Sequence, residues 1–202
     1  MNDTQTRKVV ATKTLAWAIG PLLFIAISNT LAQSYPVKPI RMIVPFTVGG
    51  GVDFNGRAFS QRFADAWGQP VVVENRAGAG GNIGADVIAK AAPDGYTLMV
   101  TTTGRAVAAT LYRKLPFDPI KDFTAISQVT ENFLLLVTHP SMPPSMKELI
   151  AHARANPGKL NYGHPGVGVA PHLIGGLLKA HTGIDFALIA YKGDAQTVPA
   201  MN

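Results

Sequence analysis

The 202-residue chain contains no cysteine. That absence excludes a disulfide scaffold, a cysteine-ligated zinc site and a thiol nucleophile. Charge is scarce too: Asp, Glu, Lys and Arg make up 15% of the residues against 47% hydrophobic ones, a balance that supports a packed core. The 20 glycines and 15 prolines stay below a low-complexity composition and show no collagen-like period. The formal charge of +6 is spread thinly, with no basic run interleaved with aromatics, so nucleic acid is not an expected partner. No G-x-S-x-G elbow surrounds a serine, and the histidines at positions 139, 152, 164, 172 and 181 show no metal-ligand spacing. No catalytic residue, metal or cofactor is therefore expected. An exported enzyme stays open as a lesser alternative, because a site assembled from distant residues leaves no motif.

Long apolar runs are absent except near the start. Arg7, Lys8 and Lys13 precede the stretch from Leu15 to Ile27, which is broken by Gly20-Pro21 and followed by small residues at Thr30 and Ala32. A cationic stretch, a short apolar core and small residues read as a cleavable export signal over residues 1–32, ending before Gln33. The run is too short to serve as a comfortable membrane anchor. The mature chain is thus expected outside the cytoplasm, in the periplasm, with a mild basic excess that suits an anionic small molecule.

From residue 40 onward, strand and helix patterns alternate. Ile40–Phe46 is an apolar strand ending in Thr47-Val48-Gly49-Gly50-Gly51; Asp53 then caps a helix to Trp67, with Phe59, Phe63, Ala66 and Trp67 on one face and Gly68 as its stop. Val71–Asn75 is the next strand. Gly78–Gly84 leads into a helix stopped by Pro93-Asp94-Gly95, and Tyr96–Thr101 is a third strand. After an irregular stretch at Leu115–Pro119, a strand is predicted over Phe133–Thr138, a capping box at Ser145–Glu148 opens a helix to Ala155, and Leu160–Tyr162 is a strand. A helix from Pro171 to His181, a strand over Ala187–Tyr191 and a helix start near Thr197 complete the pattern. Two such β-α-β series joined near Pro116–Val129 predict an α/β protein of two lobes, residues 33–120 and 121–202, with a cleft between them. Ligands of open parallel sheets lie beyond the carboxyl ends of the strands, which singles out the loops Phe46–Asp53, Thr101–Arg105 and Tyr162–His172.

At these loops the sequence resembles a known family. Tyr35-Pro-Val-Lys-Pro-Ile-Arg-Met-Ile-Val-Pro-Phe46, Gly49-Gly-Gly-Val-Asp53 and Gly68–Gly84 look like the Bug family, periplasmic solute-binding proteins of tripartite tricarboxylate transporters. Pro93–Leu98, Leu111-Tyr112, Leu115–Pro119, Lys159–Tyr162, Pro171-His-Leu173 and Tyr191-Lys-Gly193 continue the match in order, over essentially all of residues 35–202. The resemblance implies a two-lobed periplasmic-binding-protein fold, the Venus flytrap, that closes as a monomer on a small carboxylate and delivers it to membrane permease subunits. It also implies a longer protein. Family members continue past Tyr191-Lys-Gly193, so an incomplete second lobe is expected, and a truncated, ligand-incompetent remnant stands as the main alternative.

Candidate ligand-binding residues follow from the loops and the resemblance together. Phe46 and Thr47 end the first strand, and Gly49, Gly50 and Gly51 let backbone amides approach an anion at a helix start. Asp53 is expected to cap that helix, since direct contact with a carboxylate would be repulsive. Thr102 and Thr103 supply hydroxyls, and Arg105 offers a guanidinium suited to clamp a carboxylate. Arg105 departs from the family pattern, which commonly carries a histidine-containing loop there and an asparagine where this chain has Ala108. In the second lobe, His164 is a candidate donor or else an exposed loop histidine, with Gly166 and Gly168 beside it. His172 contacts the ligand or makes a structural hydrogen bond. Gly78–Gly84 imitates a dinucleotide fingerprint, but Ile83 occupies the third glycine position, so a turn and helix entry is the expected role.

Overall fold

β-Branched and large apolar residues at Ile40–Val44 form strand β1, which is buried along most of its length. The computed structural model describes residues 35–201, so the export signal expected over residues 1–32 lies outside the described residues. β1 is the centre of a three-stranded sheet, flanked by β2 (Val71–Asn75) and β3 (Thr97–Met99), both parallel to it. The register pairs Val44 with Asn75 and Ile43 with Met99, so the carboxyl ends of all three strands lie on one edge. A central strand covered on both faces reads as continuous apolar sequence, as Ile40, Met42, Ile43 and Val44 do.

Helix α1 (Gly51–Trp67) crosses from β1 to β2 and ends at Gly68, which takes the left-handed conformation at φ 66° that a glycine C-cap permits. Its buried face is Asp53, Gly56 and Ser60 rather than the predicted aromatic row. A Cβ at Gly56 would lie 2.6 Å from a Val44 methyl, so only a glycine lets the helix approach β1 this closely. Phe59, Phe63 and Trp67 instead run along the flank, with the Phe63 and Trp67 rings stacked at 4.6 Å. A 3₁₀ turn at Ala79–Gly81 leads into α2 (Asn82–Ala89), and β3 is followed by α3 (Gly104–Leu111), a helix absent from the sequence prediction.

The segment between α3 and α4 (Met146–Ala155) is irregular. The strand predicted over Phe133–Thr138 does not form. Strands exist by pairing, and among the described residues none lies alongside this one; Phe133 is 97% exposed and Leu135 85%. The cap at Ser145 is present, its hydroxyl accepting from the Glu148 amide at 3.3 Å and donating to the Glu148 carboxylate at 2.8 Å. β4 (Leu160–His164) and β5 (Phe186–Ala190) then form a second, parallel sheet, connected by α5 (Ala170–Thr182). Ala153, Ile184 and Phe186 form its core, with Leu160, Tyr162 and Leu188 packed around them. A short helix α6 (Asp194–Thr197) follows β5. From Lys38 onward the chain packs as one compact unit containing both sheets. No described helix is long and apolar enough to cross a membrane.

Candidate functional site

Parallel strands place all their following loops on one edge, and here the two edges meet. Loops after β1, β2 and β3 abut loops after β4 and β5 at three places. Behind β1, Gly50 and Gly51 lie beside the Asp194 carboxylate, while Gly193 presses on Thr47. Behind β2, Gly80 has left-handed geometry at φ 62°, and a Cβ there would overlap the Val167 carbonyl; Gly166 packs against Gly80 from the other side. Behind β3, a Cβ at Gly104 would stand 3.3 Å from the Gly168 carbonyl. The Tyr112 hydroxyl, just past α3, is 3.2 Å from the Ala79 carbonyl and 3.1 Å from that of Val167, and donates to them. A cavity of about 350 Å³ opens between these loops, lined by Ala79, Gly80, Tyr112, Val167, Tyr191 and Lys192 among others.

The triglycine turn is held from below by Asp53. The expected cap at Asp53 is corrected to Gly50, and the aspartate sits in the first turn of α1. It is 3% exposed, and it accepts from the Gly49 amide at 2.9 Å, the Arg57 Nε at 3.0 Å and the Asn75 amide at 2.9 Å. Burial by itself raises the carboxyl's pKa; the hydrogen bonds from Arg57, Gly49 and Asn75 outweigh it and hold the group below its usual value. Both carboxylate oxygens are thereby occupied within the protein, so Asp53 shapes the turn. Phe46 is buried, its carbonyl accepting from the Asn75 amide at 3.1 Å. The Thr47 hydroxyl is buried with no hydrogen-bond partner.

Of the threonine triplet, the Thr102 hydroxyl accepts from the Gly104 amide at 3.3 Å, while Thr103 is exposed and starts α3 without a side-chain cap. Arg105 is half-buried. Its guanidinium lies 5.0 Å from the Phe117 ring centre and 5.3 Å from that of Phe123, and its Nη2 donates to the Asn82 Oδ1 at 2.9 Å.

His164 is neither an exposed loop histidine nor turned toward open space. It ends β4 at 1% exposure, with Nδ1 2.9 Å from the Gly166 carbonyl, to which it donates in the tautomer this contact requires. Desolvation pushes its pKa down, against the Gly166 contact and with the neighbouring His172 ring at 4.7 Å. His172 makes a hydrogen bond within the protein, its Nδ1 accepting from the Gly168 amide at 3.3 Å. Gly166 and Gly168 are both buried at positive φ, 154° and 88°, where the chain turns under the junction.

Sequence reasoning missed Asn82, Tyr112, Tyr191 and Lys192. The last two were within reach of the strand-end rule, since they directly follow β5. Asn82 and Tyr112 carried no comparable signal, because only the approach of α3 to the Ala79–Gly81 turn brings Tyr112 to the gap and sets Asn82 beside Arg105.

Comparison with known proteins agrees with this geometry. The family model described as the tripartite tricarboxylate transporter family receptor, TctC, matches residues 56–202. Protein BugT of Bordetella pertussis is 41% identical over 170 residues, covering 83% of this chain and 52% of that protein. Among solved structures, MatC from Rhodopseudomonas palustris with bound malate aligns at a TM-score of 0.77 and 33% identity, over 83% of this chain and 57% of that one. Another R. palustris protein, solved with adipate, aligns at a TM-score of 0.76 and 36% identity, over 83% and 56%. The chain spans about half the length of the curated relatives it matches. These relatives are receptors and not enzymes. The family model, the identities and the shared architecture give one conclusion: this chain belongs to the tripartite tricarboxylate transporter receptor family.

Proposed function

We propose that this chain acts as an extracytoplasmic solute-binding receptor that captures a small carboxylate in the periplasm for the membrane permease subunits of a tripartite tricarboxylate-type transporter. The observation that carries the reading is the meeting of strand-end loops from two parallel sheets around one cavity. Such an edge offers backbone amides, hydroxyls and a guanidinium, which are donors suited to an acid. Residues 33–120 and 121–202 would act as the two lobes, and closure around the acid would exclude water. Malate and adipate in the related structures support the ligand class.

Thermal-shift melts and titration calorimetry of the full chain with malate, adipate, citrate and nicotinate test this function. A rise in melting temperature with at least one acid, and no turnover of it, is the expected result. One observation favours a second reading, the ligand-incompetent remnant: the apolar run Phe133–Val137 is exposed throughout. A non-cooperative melt that no acid sharpens would select that reading instead.

A further inference from the structure

We infer that the Tyr112 hydroxyl is a latch that holds the two loop edges together, and that Arg105, acting through Asn82, is a positioning residue that tightens it. The inference goes beyond the receptor function proposed above, because it names the device that sets how long the junction stays shut; only its ligand readout rests on that function.

Tyr112 stands where the edges meet. Its hydroxyl lies 3.2 Å from the Ala79 carbonyl behind β2 and 3.1 Å from the Val167 carbonyl behind β4. Ala79 is on the same side of the junction as Tyr112, and Val167 is on the other. A phenol carries one proton, so the two acceptors share it. When the edges part, the proton stays with Ala79 and the Val167 carbonyl passes to water. Opening thus loses one hydrogen bond and strands no buried polar group, as a reversible latch requires. The backbone around the contact is shaped for it. Ala79 has φ at 50°, the only positive value among the described non-glycine residues, and such a conformation persists only where neighbouring contacts maintain it. Val167 sits between Gly166 and Gly168, both at positive φ. The Tyr112 ring lines the cavity wall, so the latch and the cavity share one side chain.

Behind the phenol runs a short polar relay. The Arg105 Nη2 donates to the Asn82 Oδ1 at 2.9 Å. The other end of that amide, Nδ2, is buried with no fully formed hydrogen bond, yet it stands against the Tyr112 oxygen closely enough to act on it as a donor. Among the described residues no carboxylate pairs with Arg105, and its guanidinium lies 5.0 Å and 5.3 Å from the ring centres of Phe117 and Phe123. Its charge is therefore not cancelled locally, and it reaches the phenol through surroundings of low polarity. Desolvation raises the Tyr112 pKa, while the Arg105 charge and the Asn82 amide both draw it back down. What makes a phenol more acidic makes its O–H a stronger donor, and this donor bonds across the junction to Val167.

Tyr112→Phe keeps the ring in the cavity wall and removes only the O–H. Hydrogen–deuterium exchange of the full chain reads the latch without any ligand. Amides of the Gly166–Gly168 turn, where Gly168 donates to His172, are expected to exchange about three- to tenfold faster in the variant, the scale of one hydrogen bond. With malate or adipate as the probe, a similar factor is expected in the dissociation rate, the association rate changing little. Arg105→Gln should speed the same exchange by a smaller factor, and it decides the matter if Tyr112→Phe does not fold. It should also raise the pH at which Tyr112 ionises, followed by NMR of ring-labelled tyrosine. Mere loosening of the packing would expose the phenol and move that pH the other way. Unchanged exchange in folded Tyr112→Phe overturns the latch, and an unchanged or lowered ionisation pH in Arg105→Gln overturns the part given to Arg105. Failure of every acid to bind the wild type overturns the receptor function alone, since the exchange and ionisation readouts need no ligand.

Discussion

Asp53 and His164 are buried polar residues that hold turns. Replacing Asp53 by Ala leaves the Gly49 and Asn75 amides and the Arg57 guanidinium without their shared acceptor. The expected cost is about 2–4 kcal/mol, read by urea unfolding. Because the folded carboxyl lies below its ordinary value, its contribution is fully present above that value and is lost as pH falls through the folded one. His164 depends on acid in the same direction for a different reason. Its folded pKa is depressed by burial, so the unfolded state takes up the proton first as pH drops below the ordinary 6.5. Stability should therefore decline from about pH 6.5 downward and level off below the folded value. Melting curves of His164→Gln should lack that decline; an unchanged slope would assign it to another group.

At the scale of elements, α1 shows where periodicity misleads. The aromatic row at Phe59, Phe63 and Trp67 has helical spacing, yet the sheet takes the face that carries Gly56 and Ser60. Close approach to β1 outweighed the burial of rings, because the residue nearest Val44 has no side chain. Gly56→Ala tests this balance. Helix propensity alone predicts a gain of about 1 kcal/mol. The Cβ contact at 2.6 Å to Val44 instead predicts a net loss of about 1–3 kcal/mol, seen as a lower melting temperature. The helix α3 was missed because Gly104 and the preceding threonines are weak helix formers, and Phe133–Thr138 was assigned as a strand from apolar content alone. In both cases pairing and packing partners far along the chain decide the outcome.

For the whole molecule, the junction between the loop edges is the critical feature. Gly80 is its tightest point, since a side chain there meets the Val167 carbonyl and also takes a left-handed conformation. Gly80→Ala should leave both sheets formed, with far-ultraviolet circular dichroism close to wild type. It should abolish any acid-induced rise in melting temperature, because the loops no longer seat against one another. A variant that keeps the full acid response would show that closure of this junction is unnecessary.

The succession of strands and helices from Ile40 to Met99 and from Met146 to Ala190, apart from α3, together with the glycine turns, could be read from the sequence, and the strand-end loops could be singled out from it. Those features depend on local spacing: a run such as Ile40–Val44 needs burial on both faces, and Gly68 or the Ser145 cap stops or starts a helix wherever it stands. Tertiary structure alone decided how the named residues are used. It spent Asp53 and His172 on the backbone, buried His164, exposed Phe133–Val137, and brought Asn82 beside Arg105. These outcomes turn on which atoms from distant segments satisfy a donor or exclude water, a property of the packed chain that no short window of sequence contains.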